Sequence, residues 1–116
     1  MFLSEVIPTI TMKLAEKADC IPIGIRQITV FGSHARGTAT LRSDIDLALI
    51  YDKEVDEAKS DRAVMYDLLS DVVPEIEITL FGTTFEKIAN AHECKTANYG
   101  IRREGVMVWE ASTIKM

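Results

Sequence analysis

The sequence predicts an α/β fold of the α+β kind: one small mixed β-sheet flanked by helices, built by a single domain over residues 1–116. Three observations predict it. Three short segments are rich in β-branched residues and alternate apolar with polar positions. Stretches with apolar residues at helical spacing lie before, between and after them. The short loop between the first two strands fits an antiparallel or mixed arrangement, since a parallel pair needs a dozen or more residues of crossover.

The elements follow in the order α-β-β-α-β-α. Residues 2–18 place Phe2, Leu3, Val6, Ile7, Ile10 and Leu14 at roughly helical spacing. Pro8 suits a first helical turn, so the regular helix is expected to start near Ile7. Pro22 and Gly24 break the chain. Ile28-Thr29-Val30-Phe31 reads as a buried strand that stops at Gly32. Residues 32–43 (GSHARGTATLRS) are small and polar and read as a loop or short turn. Asp44 to Tyr51 (DIDLALIY) is the second strand. Ile45, Leu47 and Leu49 share one face, and Asp44, Asp46 and Ala48 share the other.

The charged stretch 52–61 reads as a solvated loop leading into a helix near 59–72, with Ala63, Val64, Leu68, Leu69 and Val72 as its apolar positions and Pro74 at its exit. Ile76 to Phe81 is the third strand, ended by Gly82. Ile76, Ile78 and Leu80 fall on one side of it, Glu77 and Thr79 on the other. Thr83 or Thr84 caps a helix whose face carries Phe85, Ile88, Ala89 and His92, with His92 and also Tyr99 and Trp109 read as packing residues. Helix resumes near 95–104 with Gly105 as its C-cap. Val106 to Trp109 forms a short edge strand, open to pairing with a second copy as a homodimer.

The chain's 116 residues suit one compact domain and can bury an ordinary core without staples. With 47% hydrophobic and 27% charged residues, the profile is that of a soluble globular protein. The net charge of −5 and scattered Lys and Arg argue against free nucleic acid as a main partner. A compact triphosphate is not excluded, because one or two cations and a metal can hold it. Cys20 and Cys94 have no metal-spaced partners and suggest buried, reduced thiols in the cytoplasm. No segment reads as a signal peptide or a membrane span.

Asp44 and Asp46 are the chemically pointed feature. Carboxylates at i and i+2 of a strand face the same way, with Cα atoms about 6.5 Å apart. They can reach the same one or two hard cations, and Mg²⁺ often takes one or two carboxylates plus substrate phosphates. Gly32 lets the backbone turn sharply after the first strand. Ser33 offers a hydroxyl and an amide to phosphate oxygens, and the Arg36 fork matches phosphate geometry.

The spacing Gly32-Ser33, ten residues, Asp44-x-Asp46 resembles the nucleotidyltransferases of the DNA polymerase beta superfamily. In particular, GSHARG (32–37) and SDIDL (43–47) resemble the minimal nucleotidyltransferases called MNT. The resemblance implies the nucleotidyltransferase fold. It implies that Gly32 and Ser33 hold a triphosphate, with Arg36 and Ser43 as further phosphate contacts. It implies that Asp44 and Asp46 hold Mg²⁺, one ion or two. The family's third carboxylate is usually Asp on a neighbouring strand; the matching residue is Glu77, with Glu75 a weaker candidate. Glu is one methylene longer, and a misplacement of about 1 Å can cost about 100-fold in rate. His34 falls at a variable position of the motif and reads as a loop side chain; Arg42 reads as solvated.

The function implied is transfer of a nucleoside monophosphate, AMP from ATP, to an acceptor hydroxyl. Such proteins are commonly encoded beside a small helical HEPN protein, and in several pairs act as antitoxins by adenylylating the toxin. The resemblance therefore implies a HEPN-family partner as acceptor. A second reading makes the chain a weakly catalytic nucleotide binder that neutralises its partner by complex formation.

Overall fold

The computed structural model describes residues 2–54, 58–72 and 77–112. Its elements are α1 (Leu3–Glu16), a 3₁₀ turn (Ala18–Cys20), β1 (Ile25–Phe31), α2 (Ser33–Arg36), β2 (Ile45–Tyr51), α3 (Ala58–Leu69), β3 (Ile78–Thr84), α4 (Phe85–Ala89), α5 (Ala97–Glu104) and β4 (Val106–Glu110). The sheet order is β3-β2-β1-β4. β1 runs antiparallel to both β2 and β4, whereas β2 and β3 are parallel. The mixed sheet expected from the sequence is therefore present. The parallel step is the one bridged by a helix, α3, as crossover geometry requires.

The period-2 pattern of β2 divides the core. Ile45, Leu47 and Leu49 meet Val6, Ile10 and Leu14 of α1 and Met65 and Leu69 of α3 on one face. Ala48 and Ile50 meet Ile101 of α5, with Phe31, Phe81 and Ile88 alongside, on the other. Phe31 and Phe81 pack edge to face with centroids 6.1 Å apart. Asp44 and Asp46 lie at the start of this second face, so α5 covers the same side of the sheet that carries the carboxylates. β4 is an edge strand, and Val106 and Met107 are exposed.

Several details depart from the expectation. α1 begins at Leu3 and runs through Pro8. Pro8 removes the amide that would bond the Ser4 carbonyl, but both residues are exposed, so water can take that carbonyl. Burial of Val6, Ile10 and Leu14 holds the helix across the gap. On α3 the buried pair is Met65 and Leu69, while Ala63 and Val64 face out. β3 continues through Gly82 to Thr84, because its parallel pairing with β2 extends to Tyr51. Thr84 caps α4 by accepting from the Lys87 amide at 3.2 Å, and α4 ends at Ala89. His92 therefore lies beyond the helix, exposed, with Nδ1 2.8 Å from the Asn90 carbonyl.

The acidic stretch is partly engaged. The Tyr51 hydroxyl donates to Asp61 at 2.8 Å, Glu54 pairs with Lys87, and Asp52 lies 3.7 Å from Arg26. Cys20 and Cys94 are both exposed, contrary to the buried thiols expected. Trp109 packs against the larger cluster, and Tyr99 lies under Arg102, 5.3 Å from its guanidinium carbon. Pro74, Glu75 and Ile76 lie outside the described residues. No helix among the described residues is long and apolar enough to cross a membrane.

Gly105 ends α5 without a left-handed conformation: its φ is −59° and its amide bonds the Ile101 carbonyl at 3.0 Å. The need for glycine is steric. A Cβ there would press on the Ile101 carbonyl and the Thr29 methyl. Gly105→Ala is expected to cost about 1–3 kcal/mol through overpacking. Urea denaturation should show a lower midpoint at unchanged slope.

Candidate active site

The site is built where β1 ends and β2 begins. Phe31 closes β1 opposite Asp46. Gly32 then turns with φ 76° and ψ −151°, a conformation that L side chains rarely adopt. A Cβ on Gly32 would overlap the Asp46 carboxylate, so the turn and the acid are in close apposition. One helical turn, α2, follows where a loop or short turn was expected. It is closed by the Arg36 amide on the Gly32 carbonyl at 3.0 Å. Gly37, at φ 78° and ψ 17°, terminates it in the left-handed conformation.

The chain returns to β2 through a loop that bonds mainly to itself. The Thr38 amide donates to the Ser33 carbonyl at 3.0 Å. The Thr40 amide donates to Ser43 Oγ at 2.9 Å, the Ser43 amide to the Thr40 carbonyl at 3.1 Å, and the Arg42 amide to Thr40 Oγ1 at 3.2 Å. Ser43 thus spends its hydroxyl on the loop. Asp44 sits just before β2 and is exposed; Asp46 lies within it and is half-buried. Burial pushes the Asp46 carboxyl above the ordinary aspartate range, and the Asp44 charge adds to this; His34 and Arg36 pull the other way.

The neighbouring strand supplies a residue that sequence reasoning did not single out. Thr79 is the register partner of Asp46, and its hydroxyl donates to Asp44 Oδ2 at 3.3 Å. Glu77 stands one residue before β3, exposed, with its carbonyl accepting from the Ile45 amide at 2.9 Å. Among the described residues, no three His, Cys, Asp or Glu side chains gather closely enough to hold a metal ion. The structure brings Gly32, Asp44 and Asp46 together with Thr79, and leaves Glu77 out of such a cluster.

Two further contacts were invisible in the motif. His34 is buried, with Nε2 3.4 Å from the Ser43 carbonyl. Arg36 is half-exposed and pairs with Glu104, the last residue of α5, at 3.3 Å. Its guanidinium therefore already answers an anion beside the site. Arg42 is exposed, as expected.

Residues 12–101 match the family model of the nucleotidyltransferase domain. The chain belongs to the nucleotidyltransferase domain family. No curated protein sequence matches it. The fold of this nucleotidyltransferase domain is similar to that of a toxin–antitoxin solved with AMP-PNP, at TM-score 0.55 and 22% identity over 90% of this chain and 73% of the other. It is also similar to a variant of the toxin–antitoxin MntA-HpeT, at TM-score 0.53 and 23% identity over 90% of this chain and 72% of the other.

The donor set of this domain suits a hard divalent cation. Two carboxylates present oxygen ligands on one face, and the glycine turn keeps the space beside them free of a side chain. The raised Asp46 carboxyl has a consequence for the protein without metal. A carboxyl with a raised folded-state pKa contributes stability below its unfolded value, and that contribution is lost as pH rises through the folded value. At neutral pH the ionised Asp46 therefore costs stability that a neutral amide avoids. In EDTA at neutral pH, Asp46→Asn should melt at a higher temperature than the wild type. The difference should close as pH falls through the carboxylate range, as thermal melts over a pH series would show.

Proposed function

We propose that this chain is a Mg²⁺-dependent adenylyltransferase that moves AMP from ATP to a hydroxyl of a partner protein of the HEPN type. The observation that carries the reading is the apposition of the Gly32 turn to Asp46, with Asp44 on the same face. The family assignment supports nucleotidyl transfer. The similar fold solved as a toxin–antitoxin with AMP-PNP supports an adenine nucleotide and a protein partner.

In this reading Asp44 and Asp46 hold the metal, which when bound would neutralise charge on the phosphate oxygens. Ser33 presents its hydroxyl and its amide to the phosphates. Arg36 exchanges Glu104 for a phosphate oxygen. The acceptor oxygen attacks the α-phosphorus as the bond to the β-phosphate oxygen breaks. The products are the AMP ester, pyrophosphate and the acceptor's proton. Glu77 stands outside the carboxylate cluster but is tied by its carbonyl to Ile45 beside Asp44, and it is proposed to take that proton rather than to hold the metal.

The second reading, a nucleotide-binding module that neutralises its partner by complex formation, draws on one observation. The position of β3 bonded to Asp44 is Thr79, which is neither charged nor a base.

Intact-mass spectrometry of the neighbouring gene's product after incubation with ATP and Mg²⁺ separates the two. Transfer adds one or more AMP units, whereas a binding module leaves the mass unchanged while forming the complex. Asp44→Asn and Asp46→Asn are each expected to slow transfer by about 100-fold or more, the rate equivalent of several kcal/mol at the transition state. Unchanged labelling in either variant sinks the transferase reading.

A further inference from the structure

The geometry points to His34 as a positioning residue that fixes Asp44 relative to the Gly32-Ser33 turn. The inference rests on the nucleotidyltransferase reading of that site and adds a residue to it. The motif gives no hint of the role, since His34 falls at its variable position.

Three observations converge. First, His34 is only 9% exposed, although it sits in a one-turn helix at the surface end of the sheet. A buried polar group needs a partner, and the hydrogen bond found for it is to the Ser43 carbonyl at 3.4 Å. A carbonyl only accepts, so Nε2 carries the proton. Second, Ser43 is the residue directly before Asp44. Third, the other loop bonds stay at one end or the other. Thr38 closes on Ser33, while Thr40, Arg42 and Ser43 bond among themselves. The imidazole is the side chain that spans the loop from α2 to the approach of Asp44.

The two aspartates depend on this tie unequally. Asp46 is held by β2, opposite Phe31 and beside Thr79. Asp44 lies outside the strand and is exposed; besides the Thr79 hydroxyl, it is held by Ile45 on its strand side, whose amide bonds the Glu77 carbonyl, and by the backbone at Ser43 on its loop side. Loss of the His34 bond unties this loop side from α2, leaving Ser43 its bonds to Thr40 within the loop, and lets Asp44 drift from Asp46 and from the Gly32-Ser33 turn. The fold's core does not depend on it, because the loop packs little apolar surface. The variants should therefore lose metal-dependent binding while keeping most of their stability.

The test is nucleotide binding by the full chain, titrated with Mg²⁺ and repeated in EDTA, with AMP-PNP as the probe. His34→Leu fills the site without a donor, and His34→Gln carries an amide nitrogen the same number of bonds from the backbone as Nε2. H34L should need about 10-fold more Mg²⁺ for half-maximal binding, the usual scale for an outer partner of a metal ligand, with binding in EDTA unchanged. H34Q should stay close to wild type. H34L should add nothing further in an Asp44→Asn background, since both changes remove the same ligand.

Equal losses in Mg²⁺ and EDTA, an H34Q variant as weak as H34L, or full additivity with Asp44→Asn would each overturn the inference. If H34L is unfolded at the assay temperature, His34→Asn replaces it: it carries the same amide but is too short, and the same split from H34Q is expected. A wild-type chain that binds no nucleotide with Mg²⁺ overturns the nucleotidyltransferase reading and this inference with it. A wild type that binds, with H34L indistinguishable from it, overturns the inference alone.

Discussion

The close approach of the Gly32 backbone to the Asp46 carboxylate is the constraint on which the site depends. It fixes three things together. The residue after β1 must lack a Cβ and must accept a positive φ, which only glycine does without strain. The register of β1 on β2 must place Phe31 opposite Asp46, because a slip by one residue would send the carboxylates to the face filled by α1 and α3. The carboxylate must then stay half-buried beside a second acid, an arrangement that keeps its proton affinity raised until a cation or a cationic side chain answers it.

The helices follow from that placement. α1 and α3 close the apolar face of β2, so the carboxylates can stand only on the other. α5 covers that second face and meets α2 through the Arg36–Glu104 pair. A half-exposed pair of this kind contributes about 0–1 kcal/mol to stability. Its importance is electrostatic and local: it sets a guanidinium close enough to Asp46 to oppose the rise of that carboxyl. With a net charge of −5 the chain offers anions no general attraction, so a cation at this end of the sheet acts through its local placement.

Legibility in the sequence tracked the range of the interaction. The faces of β2 were readable because strand alternation is local: Ile45, Leu47 and Leu49 mark the wholly apolar face, and Asp44 and Asp46 mark the other. A threonine cap at 83 or 84 and a close at Gly105 were readable from residue type; that Thr84 makes the cap, and that Gly105 is required by the Ile101 carbonyl and the Thr29 methyl, came from the packing. The buried stripe of α3 was readable in part: Leu68, Leu69 and Val72 reach the core as their spacing says, but packing against the sheet turned Met65 inward and left Ala63 and Val64 outside. Pro8 was misplaced because its tolerance depends on Ser4 and Pro8 both facing water, which only the packing of α1 decides. Exposure of Cys20 and Cys94 has the same origin, since residue type alone does not say which side of a turn meets the core.

For the site itself, the sequence alone determined the chemistry on offer: a glycine turn, a hydroxyl, an arginine and two carboxylates at strand spacing. These are adjacent in the chain, and their mutual placement follows from backbone geometry over sixteen residues, 32–47. Tertiary structure decided what surrounds them. Thr79 reaches Asp44 across 35 positions and Glu104 reaches Arg36 across 68, contacts that exist only because the sheet order sets β3 beside β2 and α5 over their face. His34 is nine positions from Ser43, yet its burial was also beyond the motif, because burial is a property of what packs around a residue. The period of a strand fixes which way side chains point; only the folded neighbours fix what they meet.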